Sequence, residues 1–163
     1  MNALDLLKKQ HREVEALFEK YEKAGEKDFD LKEDLFVQIA DNLSAHASIE
    51  ERFFYPSVKS EDTEDILRES LEEHLSAKRI IADLLELEPQ NEQFDAKMKV
   101  LQEEIEHHVE EEEGDLFPKV KKLMDNDSLE SLGAIMEQEF EDMKKGEPRE
   151  EVPAQTDQAP PLQ

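Results

Sequence analysis

Four stretches of this chain repeat apolar residues every three or four positions, and a histidine interrupts each series where the next apolar residue is due. That alternation places its members on one face of a helix, so each stretch predicts an amphipathic helix. The first runs from about Asn2 to Ala24, with Leu4, Leu7, Val14, Phe18 and Tyr21 on its stripe, His11 in the gap and Gly25 as its stop. The second, roughly Phe29 to Tyr55, carries Phe36, Ile39, Leu43 and Phe53, with His46 and Glu50 in the series and a break or kink at Pro56. In the third, about Thr63 to Leu87, His74 falls among Leu67, Leu71, Ala77, Ile81 and Leu84, and Pro89 follows. The fourth opens on Asn91 as its N-cap, carries Phe94, Met98, Leu101 and Ile105, continues through His108 and Glu112, and breaks or kinks at Pro118. A fifth and shorter helix, about Ser128 to Lys145, shows Leu129, Leu132, Ile135, Met136, Phe140 and Met143 on one side, with Asp127 and Glu130 spaced as a capping pair.

Nineteen leucines against two threonines and four glycines favour helix over strand, so the chain is predicted to be all-α. Four long helices with short connections give an antiparallel up-down-up-down four-helix bundle, the fifth helix covering an end or side. Residues 1–145 form this bundle. Residues 146–163 hold four of the seven prolines and no helical period, and are expected to be a disordered, Pro-rich acidic tail. With 44 acidic and 20 basic residues the net charge is -24, a surface that repels phosphate backbones, so nucleic acid and anionic membranes are not expected partners. Cysteine is absent, which removes disulfides, thiolate catalysis and cysteine-held clusters and leaves metal chemistry to histidine and carboxylate. The amino terminus turns charged too early for a secretory signal and no apolar run spans a membrane, so a cytoplasmic location is expected.

The interrupting residues converge in height as well as in face. His11 lies about nine residues after the start of its helix and His46 about nine before Tyr55, so both fall about 13 Å from the same end of an antiparallel pair. His74 and His108 come to nearly the same level. Burying these four and Glu50 and Glu112 without partners costs several kcal/mol apiece, roughly, so a compensating group is required. The halves of the chain also repeat: HASIEERFFYP at 46–56 and HVEEEEGDLFP at 108–118 share a histidine, a Glu-Glu pair, an aromatic and a proline. Two similar hairpins facing each other suit a pair of metal ions. His107 points roughly 100° away from His108 and is assigned to the surface.

His11, the His46/Glu50 and His108/Glu112 pairs with Tyr55-Pro56 and Phe117-Pro118 after them, and His74 between, resemble the hemerythrin-like HHE cation-binding family over about residues 1–124. The resemblance implies an oxygen- or hydroxide-bridged pair of iron ions: His11 and His46 on one, His74 and His108 on the other, Glu50 and Glu112 bridging. Imidazole plus carboxylate also suits manganese and zinc. The dioxygen carriers of the family have a further histidine where this chain has Lys78, so the resemblance leaves an open position on each iron. The expected function is therefore a non-haem di-iron oxidoreductase that reacts with dioxygen, peroxide or nitric oxide using an unidentified electron donor. The alternatives are a sensor or carrier of diatomic gas and an iron storage or delivery module. Lys78, Tyr21 and Tyr55 are candidates to act beside the metals, and Glu51 and Glu113 to orient the imidazoles.

Overall fold

The computed structural model describes residues 1–163. All regular structure is helical: α1 Ala3–Lys23, α2 Phe29–Ile49, α3 Tyr55–Ser57, α4 Glu64–Leu85, α5 Glu92–Glu111, α6 Phe117–Leu123 and α7 Asn126–Lys144. α1 packs along α2 and α4 along α5. The hairpins close antiparallel: Gln10 meets His46 while Tyr21, further along α1, meets Lys32 near the start of α2, and Glu73 meets His108 while Asp83, further along α4, meets Lys97 near the start of α5. No helix is long and apolar enough to cross a membrane. Side-chain caps start three helices: Asn2 accepts from Asp5 N–H, Asn91 from Gln93 and Asp125 from Ser128. The last differs from the expected Asp127–Glu130 pair, because α7 begins two residues earlier. Gly25 follows the end of α1 without a left-handed φ, and the turn is made by extended backbone at Ala24.

Expected breaks at Pro56 and Pro118 are instead π-turns just ahead of them, Glu50–Phe54 and Glu112–Leu116, after which α3 and α6 continue the helices. Proline cannot donate to the carbonyl four residues back. Here the N–H of Tyr55 bonds the carbonyl of Glu50 and that of Phe117 the carbonyl of Glu112, an i→i+5 turn that carries the chain past the proline. The extra residue rotates the remainder of the helix. A continuous α-helix places a residue five positions on about 140° round the axis; the π-turn brings it back toward the inner face. Tyr55 and Phe54 are therefore fully buried while Phe53, on the expected stripe, is only partly so.

Two apolar clusters fill the bundle. One gathers the start of α1, the end of α2, α3, the start of α4, α6 and α7 around Leu7, Ile49, Phe54 and Leu67. The other lies at the opposite end, around Phe18, Phe36, Ile81 and Phe94. The polar slab predicted from the interrupted stripes falls between them. α7 covers α1 and α2 with Leu129, Leu132, Met136 and Phe140; Ile135, assigned to that face, is half exposed.

The expected disordered tail is ordered. Pro148–Gln155 forms a 3₁₀ segment that lies against α2 and α4, with Val152 fully buried in the second cluster. Prolines fix φ, and they support this extended, tightly turned path where they prevent an α-helix. Composition pointed to disorder because it does not register the few contacts that dock the segment.

At the crossing of α7 and α1 the backbones touch. A Cβ on Gly133 would lie 2.7 Å from the backbone of Asn2 and Ala3 and closer still to the Met1 carbonyl. Gly133→Ala should therefore destabilise by about 1–3 kcal/mol despite alanine's better helix propensity. We expect a melting temperature lower by about 2–10 °C; an unchanged or higher value would show that α7 is not held against α1 as described.

Candidate metal centre

The six residues predicted to converge do so, each less than one-tenth exposed. His11, His46, Glu50 and Glu112 present ligand atoms within 4.8 Å of one another, and Glu50, His74 and His108 form an adjoining group. Glu50 joins the two: its Oε1 lies 3.2 Å from Nε2 of both His46 and His74. Glu112 spans them differently, with Oε1 3.0 Å from His11 Nε2 and Oε2 3.4 Å from His108 Nε2. The Nε2 atoms of His74 and His108 face each other at 3.3 Å.

What aims these rings is a second layer of acceptors. Nδ1–H of His11 donates to Glu113 (2.7 Å), that of His46 to the Gln10 amide oxygen (2.6 Å), that of His74 to Glu51 (2.8 Å) and that of His108 to Glu73 (2.8 Å). A neutral ring whose Nδ1 holds the proton carries its lone pair on Nε2, and all four Nε2 atoms point inward, the tautomer and orientation of a metal ligand. The four bonds also tie α1 to the turn after α5, α1 to α2, the turn after α2 to α4, and α4 to α5. They form a closed ring of staples around the bundle. Glu51 and Glu113 were anticipated from the sequence; Gln10 and Glu73 were not. Both stand immediately before the first histidine of their half, so the internal repeat contained the signal.

Electrostatics and unmet hydrogen bonding both fit a cation. His46 Nε2 and Glu50 Oε2 are buried with no hydrogen-bond partner, an arrangement that is costly unless another group satisfies them. Burial opposes charge on Glu50, yet the neighbouring His46 and hydrogen bonds from the site hold its carboxyl well below the usual carboxylate range. Burial likewise opposes protonation of His108, but the Glu112 carboxylate outweighs it and raises the imidazole well above its ordinary value. His11 and His74 are raised against burial in the same way, by Glu112 and by Glu50 with Glu51 respectively. Cations bound here take over the role of those protons, so uptake is coupled to proton release.

Lys78 is buried, and its Nζ bonds both oxygens of Glu51 at 3.1 and 3.0 Å. It is committed to the carboxylate that orients His74, so it acts on the centre through Glu51. Tyr55 lies inside the site: its hydroxyl donates to Glu112 Oε2 at 2.8 Å, and its ring stacks on His74. Burial first, then the Glu112 and Glu50 charges, raise its pKa well above the ordinary phenol value, so it keeps its proton. The equivalent residue of the other half, Phe117, stacks on His11. Tyr21 is the correction. It lies ten residues beyond His11, about 15 Å along α1, and bonds Asp95 beside Lys32, away from the centre. His107 is exposed, as expected, near Glu73 and Glu111.

A model of the family described as the hemerythrin HHE cation binding domain matches residues 2–120. Among curated proteins a DNA nickase of Nostoc sp. is 28% identical over 130 residues, which cover 80% of this chain and 36% of the nickase. The chain thus spans about a third of that relative's length. The fold is similar to the crystal structure of a hemerythrin HHE cation binding domain-containing protein from Mycobacterium kansasii, with a TM-score of 0.77, 24% identity, and coverage of 89% of this chain and 88% of that one.

Removing an outer acceptor leaves an Nδ1–H unpaired and frees its ring to rotate. Gln10→Leu and Glu73→Leu should each weaken metal binding about 10–100-fold with helix content unchanged. A competition titration against a chelator measures this; wild-type affinity in both variants would mean that the outer layer does not position the ligands.

Proposed function

The chain belongs to the hemerythrin HHE cation-binding family, and we propose that its buried cluster holds two iron ions and reduces dioxygen, peroxide or nitric oxide with electrons from a donor outside the chain. One observation carries this reading: four imidazoles, each fixed at Nδ1, direct Nε2 into a slab that two buried carboxylates also enter. His11 and His46 would hold one ion, His74 and His108 the other, with Glu50 and Glu112 shared. Donors of this kind also accept manganese and zinc, so metal analysis belongs to the test. When bound, the iron pair supplies electrons and polarises the oxidant.

The protein's own groups supply position and protons. Reducing hydrogen peroxide to two waters takes two protons as well as two electrons. Tyr55 holds a proton at its hydroxyl inside the cluster, 2.8 Å from Glu112 and 3.4 Å from His74 Nε2. It is the residue we assign to hydrogen-bond the oxidant and relay one of these protons, with solvent supplying the second and reprotonating the phenol. Lys78 neutralises Glu51 and keeps it in place beside His74. Because Lys78 is engaged there, its position would provide no further ligand, which would leave room at bound ions for a small oxidant.

Nicking of DNA is not part of the proposal. The named relative is much longer, and a net charge of -24 works against contact with a phosphate backbone.

Anaerobic loading with ferrous iron, elemental analysis, and mixing with dioxygen, peroxide and nitric oxide test the reading. We expect two irons per chain and turnover of at least one oxidant. Tyr55→Phe should keep the iron and turn over about 10²-fold more slowly. A well-folded, metal-free protein recovered from iron-rich medium would refute the iron assignment, and iron-loaded protein inert toward all three oxidants would refute the reductase reading.

A further inference from the structure

The ordered C-terminal segment does more than cap a hydrophobic end. A cavity of about 40 Å³ lies between the histidine cluster and the second apolar cluster; His11, His46, His74 and His108 line it, and apolar walls come from residues such as Val14, Ala77 and Ile81. A single water needs roughly 10–15 Å³ of such space, so the cavity suits one diatomic molecule or peroxide rather than an organic substrate. Val152, from the 3₁₀ segment, also lines it and is fully buried. The side chain that completes the cavity wall therefore comes from a terminal segment lying in the seam between α2 and α4.

That segment is pinned on both sides of Val152. Ahead of it, the Pro148 carbonyl accepts from Ser44 on α2 at 2.9 Å, and Arg149 meets Asp41 through its backbone N–H (3.1 Å) and its guanidinium (2.9 Å). Beyond it, Arg79 on α4 donates to the carbonyls of Thr156 and Asp157, both at 3.0 Å. These anchors join the strap to both helices flanking the seam. They are also few and partly exposed, so the strap opens at much lower cost than a helix of the bundle.

We propose that residues 148–157 are a closing strap over the metal cavity and that Val152 determines what reaches the histidines: diatomic molecules and peroxide pass with the strap docked, and bulkier reagents enter only when it lifts. This deepens the reading of the site as a metal centre for small oxidants and rests on it. The physical claim about access is nevertheless measurable without turnover.

Because the chain has no cysteine, one introduced thiol reports on the cavity without background. Ala77→Cys places it on the wall of α4. Its reaction with the bulky disulfide DTNB is compared in three backgrounds: the full chain, the chain with Val152→Ala, and the chain lacking residues 147–163. The labelling is run with and without prior chelation, and helicity is monitored throughout. We expect slow labelling in the full chain, labelling faster by at least about tenfold without the strap, and an intermediate rate for Val152→Ala. A small methanethiosulfonate should discriminate much less. Equal DTNB rates in the full and shortened chains overturn the proposal. If the shortened chain does not fold, Val152→Ala decides, and no acceleration there overturns it. Hydrogen exchange at 149–157 as fast as in an unfolded peptide would also overturn it. Since thiol access is read whether or not iron is bound, failure of the strap and failure of the iron assignment give different results.

Discussion

Six ionisable groups buried midway along a helical bundle can be tolerated only if every one of them has a partner, and the arrangement of those partners sets the rest of the structure. Each unpartnered group would cost several kcal/mol, roughly, a large fraction of what a domain of this size has in reserve. The outer acceptors Gln10, Glu51, Glu73 and Glu113 meet this demand on the Nδ1 side, and each bond crosses from one helix or its trailing turn to a neighbour. Apolar packing above and below the slab excludes water and strengthens the bonds. Helix register and site geometry are therefore one constraint: sliding either hairpin by a turn would break two staples and bury their groups unpaired.

The doubled glutamates show how a short repeat encodes both layers. In each half the first glutamate of the pair enters the slab while the second turns outward to a histidine of the other half: Glu50 inward with Glu51 on His74, Glu112 inward with Glu113 on His11. Adjacent residues on a helix diverge by about 100°, which suits one for the centre and the next for the neighbouring helix. The π-turn that begins at the first glutamate then returns the aromatic five residues later to the site. Here the halves part company. Tyr55 brings a hydroxyl and Phe117 only a ring, so the two-fold cage has one protic side.

Much of this was legible in the sequence because the interruptions were themselves periodic. A histidine on an apolar stripe is ambiguous alone; four at one height, two followed a turn later by glutamate, are not, and the structure brings those six residues together. What escaped were features that periodicity does not contain. A constant 3.6-residue period puts Phe53 on the core stripe and leaves Phe54 off it, because it cannot register the π-turn that buries Phe54 instead. Tyr21 followed the stripe correctly into the core but stands at the wrong height for the site. The tail read as disordered because its prolines and charges dominate its composition, whereas its order depends on Val152 and a few bonds to Asp41, Ser44 and Arg79.

Charge explains why a bundle would keep so polar a centre. Five carboxylates, Glu50, Glu51, Glu73, Glu112 and Glu113, bond or face the four imidazoles, while the fixed cations among them are Lys78 on Glu51 and Arg12 on Glu113, an excess of three negative charges. That excess must be met locally, because the slab is buried between two apolar clusters. Protons on the imidazoles can meet it, as the raised values of His11, His74 and His108 reflect, and so can metal cations at the inward Nε2 atoms. Both use the same lone pairs, so they compete, and each cation bound displaces protons while leaving the Nδ1 bonds intact. The outer layer is thus the part of the centre that persists between the protonated and metal-bound forms. The bundle can exchange one kind of positive charge for the other without repacking its helices.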